Sequence, residues 1–328
     1  MDERVGVAPV GTSAVEGQRV LVTGAGGQLG GYLLRALAEA GATVFGLGAH
    51  SGPGVDLVAD IADQSAIRDA LVTAAPDAVV HAAAYTDVDG AERDPARADA
   101  VNNLGARHVA AASQEANAYL VAVGTDFVFA GDGGAPYDED APPAPLSVYG
   151  RSKLAGERAV LETDPRFAVA RTAWLYGGPG KHFPRTVLTV LRDRGAIEVV
   201  DDESGSPTFA GDLAEALVAL VAVGAAGLFH LANEGRTTRY ALARCAAAAA
   251  GLDPGAVRPT TTAAFLAKYP LPATRPADST LANRRAAALG IRLRPWSDAL
   301  TAYAPALAAE LGIDPPSGPR FDRRSQEG

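Results

Sequence analysis

With 328 residues, 48% of them hydrophobic, the chain has enough apolar sequence for one large α/β domain and a smaller lobe, which excludes a disordered protein or a miniature scaffold. Its 29 Lys and Arg against 38 Asp and Glu leave a formal charge of -9, which repels a nucleic-acid backbone but leaves room for a small anion held by backbone N–H groups and an arginine. The single cysteine, Cys245, cannot form an intrachain disulfide, no charged-then-apolar leader is read, and the apolar runs are short and broken by Gly, so a cytoplasmic protein without a membrane partner is expected.

Residues 1–18 lack a hydrophobic period and are expected to be a flexible extension, as is the polar tail 313–328. Between them, β-branched runs alternate with Ala/Leu-rich helical patterns. Arg19–Thr23 precedes Leu29–Ala40, Thr43–Leu47 precedes Gln64–Ala75, and Ala78–His81 precedes Ala96–Ala116. Tyr119–Val123, a helix from Tyr149 to Glu162 and the strand Phe167–Thr172 continue the series. Serial βαβ implies a doubly wound parallel sheet over residues 19–176. From Gly177 the pattern becomes irregular, with helices at Phe183–Arg194, Gly211–Val223, Arg239–Ala250 and Asp298–Leu311 and short strands near Ile197 and Leu228, so a smaller, mostly helical lobe is expected over 177–312. The Pro/Gly-rich stretch Gly131–Pro145 reads as a functional loop.

The first strand runs into Thr23-Gly24-Ala25-Gly26-Gly27-Gln28-Leu29-Gly30, a G-x-x-G-x-x-G spacing that opens a helix. Gly24 permits a tight turn, Gly27 lets a pyrophosphate approach the backbone, and Gly30 allows close helix-sheet packing, so the turn reads as a dinucleotide site. The second strand ends at Gly48-Ala49-His50-Ser51, without the carboxylate that would grip an adenosine 2′-hydroxyl. NADPH is therefore favoured, with His50 and Ser51 as donors to its 2′-phosphate and NADH as the other possibility. Asp60 and Ile61 are read either as an adenine contact or as a helix-proximal cap.

Tyr149 and Lys153 stand four residues apart on one helical face. A neighbouring ammonium is expected to lower the phenol's pKa and so let the pair move a proton to or from a carbonyl oxygen. The strand before this helix ends in Thr125-Asp126, which offers a hydroxyl from the other side. His81 reads as a satisfied strand-end residue, Cys245 as a small buried hydrophobe, and Asp87 and Asp89 as loop carboxylates or helix caps. No zinc spacing is present, and no metal is expected.

In these motifs the chain resembles the extended short-chain dehydrogenase/reductases, and within them the dTDP-4-dehydrorhamnose reductase family. The resemblance runs from Arg19 to Leu311. It rests on Gly27-Gln28-Leu29-Gly30, Ala82-Ala83-Ala84-Tyr85-Thr86-Asp87-Val88-Asp89, Thr125-Asp126-Phe127, Tyr149-Gly150-Arg151-Ser152-Lys153, Arg171-Thr172-Ala173-Trp174, Gly205-Ser206-Pro207-Thr208 and Arg275-Pro276. It implies an NADPH-dependent reduction of the 4-keto group of a dTDP-6-deoxyhexose, with Thr125, Tyr149 and Lys153 as the catalytic set. Cofactor contacts are then expected at Gly24, Gly27, Gln28, Leu29, His50, Ser51, Asp60, Ile61 and Ala82 to Ala84, that is Ala82, Ala83 and Ala84, together with Tyr149 and Lys153. Substrate contacts are expected at Thr86, Val88, Thr125, Asp126, Phe127, Tyr149, Trp174, His182, Phe183, Ser206 and Arg275; Arg275-Pro276 by itself reads either as the end of a helix or as a bidentate grip on the sugar nucleotide's phosphates.

Four positions depart from the family pattern. Phe127 stands where Tyr is usual, His182 and Asp278 where Asn is, and Glu203 where Gln is. They leave open a reductase of a specialised antibiotic sugar such as dTDP-dihydrostreptose. Two other readings share the fold: a sugar-nucleotide dehydratase or epimerase, and a regulatory subunit that binds NADP(H) without turnover. A monomer or homodimer is expected.

Overall fold

A computed structural model describes residues 12–133 and 135–313 of the chain. Seven parallel strands form its central sheet: β1 (Arg19–Thr23), β2 (Thr43–Gly48), β3 (Leu57–Val58), β4 (Ala78–His81), β5 (Tyr119–Thr125), β6 (Ala168–Thr172) and β7 (Gly227–His230). They lie in the order β7-β6-β5-β4-β1-β2-β3. The chain winds one way from β1 and the other way from β4, so the switch point falls between those two strands, where a doubly wound sheet opens its crevice.

Alternation along each strand decides which helices cover which face. Val20, Val22, Val80 and Val121 pack beneath α1 (Gly30–Glu39), while Leu21, Val79 and Leu120 pack with α2 (Gln64–Ala74) on the opposite face. After β4 the chain forms α3 (Val88–Arg93), α4 (Pro95–Asp99) and α5 (Ala106–Glu115), and α6 (Val148–Thr163) follows β5. The expected single helix Ala96–Ala116 is interrupted at Ala100–Gly105 by a π-helical stretch. That wider turn seats Asn102, whose side chain bonds Tyr85 N–H and C=O and the Ser152 hydroxyl, tying the chain after β4 to α6.

The smaller lobe carries α7 (Phe183–Arg194), α9 (Arg239–Ala249) and the long helix Trp296–Glu310, packed around Leu188, Leu242, Leu300 and Leu307. Between α7 and α9 the chain returns to the sheet. Helix α8 (Ala210–Val223) is apolar nearly all round and is buried with α1, and β7 then pairs with β6. The lobe is thus assembled on either side of a crossing, and Tyr176 is not a single cut between two units.

The expectation for residues 1–18 is corrected in part. Thr12–Val15 forms a 3-10 turn, and Val15 is wholly buried in the core beside α8. Residues 1–11 and 314–328 lie outside the described residues, while Ile313 is buried against the lobe. Among the described residues no helix is long and apolar enough to cross a membrane.

Candidate active site

The carboxyl ends of β1, β2, β4, β5 and β6 open into a cleft of about 890 Å³, roofed by the smaller lobe. On the sheet side its lining is mostly backbone. Gly24 has φ +72, and a Cβ there would meet Ala83 N at 2.8 Å; a Cβ on Gly30 would lie 2.3 Å from Ala25 O. The turn therefore closes as tightly as the spacing requires, with Gly24, Gly27, Gln28 and Leu29 facing the cleft. Ala82, Ala83 and Ala84 line the adjacent floor, where the Thr23 hydroxyl accepts from Ala83 N–H and lies 2.7 Å from His81 Nδ1. His81 is buried and satisfied, and burial pushes its pKa down to about 3, so it stays neutral.

Asp60 and Ile61 also line the cleft, with Asp60 Oδ1 accepting from Ala62 N–H, while the cap of α2 is Asp63. His50 and Ser51 do not line it. The loop after β2 folds back so closely that a Cβ on Gly46 would strike Gly54 O, and this carries His50 and Ser51 outward to exposed positions.

At the centre, Ser147 caps α6 by accepting from Gly150 N–H, and this start places the buried Tyr149 beneath the end of β5. The Thr125 hydroxyl lies on the same floor, donating to Asp126 Oδ1 at 3.2 Å and near enough to the Tyr149 phenol to lower its pKa. One turn on, Lys153 Nζ donates to Val123 O at 2.8 Å. The expected lowering of the phenol's pKa is not found: burial pushes it up to about 12, the neighbouring Asp126 charge adds to the rise, and Thr125 eases it. The ammonium reaches the β5 backbone instead of the phenol, and burial lowers its own pKa to about 8 while Glu157 raises it. Tyr149 therefore holds its proton at neutral pH, and Lys153 keeps its charge up to about pH 8.

Asp126 is buried beside Thr125, accepts from the Ser279 hydroxyl at 2.5 Å, and has its carboxyl pushed up to about 6 by burial. Phe127 lines the cleft, but not for the reason its spacing suggests. Asp126–Val128 is a 3-10 turn rather than extended chain, so Thr125 and Phe127 do not share a face by alternation. The Phe127 ring instead meets the Tyr149 ring edge-on at 5.5 Å.

The lobe side is built from side chains. Trp174, His182, Phe183 and Arg275 line it, while Thr86 and Val88 line the cleft from the segment after β4. Ser206 does not; it is buried behind the wall, donating to Gly235 O and accepting from Leu281 N–H. His182 accounts for one departure from the family pattern. It caps α7 as an Asn would, its Nδ1 accepting from Arg185 N–H at 3.3 Å, while Nε2 lies 3.1 Å from the Tyr303 hydroxyl. Burial lowers its pKa to about 4, so it is neutral and both ring nitrogens are engaged.

Arg275 meets a carboxylate before it meets any phosphate. Its Nη2 lies 2.6 Å from Asp89 Oδ2, and Asp89 also accepts from Ala273 N–H. Asp89 is therefore a bridge from α3 to the lobe rather than a cap, whereas Asp87 does cap α3. The spacing arguments missed Arg239, Lys181, Thr186, Arg97 and Tyr85 as lining residues, and also Thr172, whose hydroxyl is buried without a hydrogen-bond partner. Lys181 carried a signal, as one of three lysines in an arginine-rich chain, and Tyr85 and Thr172 lie within the quoted motifs; Arg239, Thr186 and Arg97 gave none.

The residues present fit a dinucleotide. A bare glycine turn stands at a helix start and small alanines floor the cleft. Residues 18–308 match the RmlD substrate binding domain family. A dTDP-4-dehydrorhamnose reductase of Streptomyces griseus is 45% identical over 309 residues, covering 92% of this chain and 98% of that protein. One from Mycobacterium tuberculosis (strain CDC 1551 / Oshkosh) is 43% identical over 304 residues, covering 90% and 96%. The crystal structure of a dTDP-4-dehydrorhamnose reductase from Bacillus anthracis in complex with NADP superposes with a TM-score of 0.81 at 34% identity, covering 88% of this chain and 98% of that one.

Proposed function

The chain belongs to the dTDP-4-dehydrorhamnose reductase family, and from that premise we propose how its cleft works. The protein is an NADPH-dependent reductase of a dTDP-4-dehydro-6-deoxyhexose, an enzyme of deoxysugar biosynthesis. The observation that supports the assignment of roles is the Thr125–Tyr149–Lys153 set at the floor between the two walls.

The cofactor would rest along Gly24 to Leu29 and Ala82 to Ala84, and when bound it supplies a hydride from the nicotinamide C4 to the keto carbon. Tyr149, protonated at neutral pH, gives its proton to the keto oxygen, so that hydride and proton together make the alcohol. Thr125, whose hydroxyl lies in the cleft beside the phenol, is placed to orient the same oxygen. Lys153 is charged below about pH 8 and is placed to grip ribose hydroxyls. Phe127, edge-on to Tyr149, screens the phenol from water. Preference for NADPH is supported by the missing carboxylate at the end of β2, with the exposed His50 and Ser51, next to the cleft-lining Ala49, as donors to the 2′-phosphate.

Phe127 also bears on the dehydratase reading, since elimination of water needs a further acid or base and a phenyl ring supplies none. The identity of the hexose follows from which 4-keto sugar is reduced fastest. The test is a panel of dTDP-4-keto-6-deoxysugars made in situ, with NADPH loss and product NMR as readouts. Reduction to a single C4 epimer is expected. Protein that binds NADPH yet reduces no member of the panel would be the regulatory subunit instead.

A further inference from the structure

Arg239 is the cation that the sequence motifs do not mention and the mechanism does not use. It opens α9, where its backbone N–H donates to Glu203 O at 3.2 Å, and its side chain turns into the cleft with 19% of its surface exposed. The guanidinium lies over the Trp174 indole with Cζ 3.7 Å from the ring centroid, and Phe183 stands 5.2 Å away on another side. Trp174 is held for this contact at some cost, since its φ of 45 is a left-handed backbone seldom adopted by a bulky residue. Gly205 makes the position possible, because a Cβ there would come within 2.5 Å of the indole.

A guanidinium fixed by its face keeps its N–H edges available. Its carboxylate neighbour among the described residues is Glu203, with Oε2 at 3.7 Å, which is the second of the departures from the family pattern that the structure explains. Arg239 is also close enough to Arg275 and to Asp126 for both charges to act on it. Two guanidinium groups that repel each other thus converge on the lobe side of one cleft, Arg239 beside Glu203 and within reach of the Asp126 charge, Arg275 paired with Asp89. Such a pair is at rest when an anion with several oxygens lies between them.

We propose that Arg239, stacked on Trp174 and acting with Arg275, is a specificity-determining residue that holds the diphosphate of the nucleotide-sugar. Trp174 is then first a platform for the arginine. The inference rests on the reductase reading but is tested by binding, so that the two can fail separately.

The experiment titrates dTDP and, in parallel, thymidine into NADPH-saturated wild type, Arg239→Gln and Arg239→Lys, and measures NADPH affinity for each. Losing a charge-assisted contact is expected to raise the dTDP Kd about tenfold or more in Arg239→Gln. Thymidine and NADPH binding should be unchanged, Arg239→Lys should recover part of the loss, and the dTDP affinity of Arg239→Gln should depend less on salt. In turnover the same variant should raise KM for the sugar nucleotide and leave kcat within about threefold. Unchanged dTDP affinity, or an equal loss for thymidine, overturns the proposal, the second by showing that the residue supports packing or the base. Wild type that binds dTDP but reduces no sugar overturns the reductase reading alone.

Discussion

On the sheet side of the cleft, Gly24 to Leu29 and Ala82 to Ala84 offer backbone and small side chains, whereas on the lobe side Trp174, His182, Phe183, Arg239 and Arg275 offer rings and charges. The first wall recognises by closeness, since a Cβ added at Gly24 or at the neighbouring Gly30 collides with main chain. The second recognises by charge and shape, and its two arginines and its histidine already have partners in the protein: Asp89 for Arg275, Glu203 for Arg239, Tyr303 for His182. Damage to the sheet wall should therefore be steric and hard to repair, while damage to the lobe wall should appear in KM and respond to salt and pH.

The largest effect is expected at the floor the two walls share. Tyr149→Phe removes the proton donor and should lower kcat by about 10² to 10⁴ with NADPH affinity retained. A variant with near-wild-type kcat would mean that the acid is another group. On the sheet wall, Gly30→Ala puts a methyl 2.3 Å from Ala25 O, with backbone on both sides and no side chain to give way. A loss of about 1–3 kcal/mol in urea unfolding is expected, together with weaker NADPH binding. A Gly30→Ala protein of wild-type stability would break the comparison on that side.

A smaller effect comes from pH. Burial lowers the Lys153 ammonium from 10.5 to about 8, Glu157 on the same helix opposes that shift, and neutral His81 and the protonated Tyr149 add no charge nearby. The charged form is present below pH 8 and lost above it, so kcat/KM should be level near pH 7 and fall about tenfold per unit well above pH 8. A profile still level at pH 9.5 or above would show that the lysine's charge is not required, or that it stays charged.

The smallest effect is on the lobe side. Asp89→Asn keeps an acceptor for Ala273 N–H but releases Arg275 from its counter-ion, which should lower KM for the sugar nucleotide by roughly twofold to fivefold, the worth of a partly exposed pair, with kcat unchanged. A raised KM would mean that Asp89 shapes the site rather than competing for the arginine.

The sequence by itself determined what depends on neighbours along the chain. Alternating strands, the order of βαβ units, the glycine spacing from Gly24 to Gly30 and the four-residue step from Tyr149 to Lys153 all reappear in the fold, because turn geometry and helical periodicity are local. Even there, local rules misled where the element was short: the 3-10 turn at Asp126–Val128 and the π-helical stretch at Ala100–Gly105 do not follow strand or helix periods. Only the tertiary structure decided what depends on burial and on distant partners. It raised the pKa of Tyr149 where a neighbouring lysine alone would lower it, it set Arg275 against an aspartate 186 residues away, and it laid Arg239 on Trp174. The physical reason is that desolvation and ion pairing act through space, and the lobe wall is assembled from segments that the chain reaches only after crossing back over the sheet.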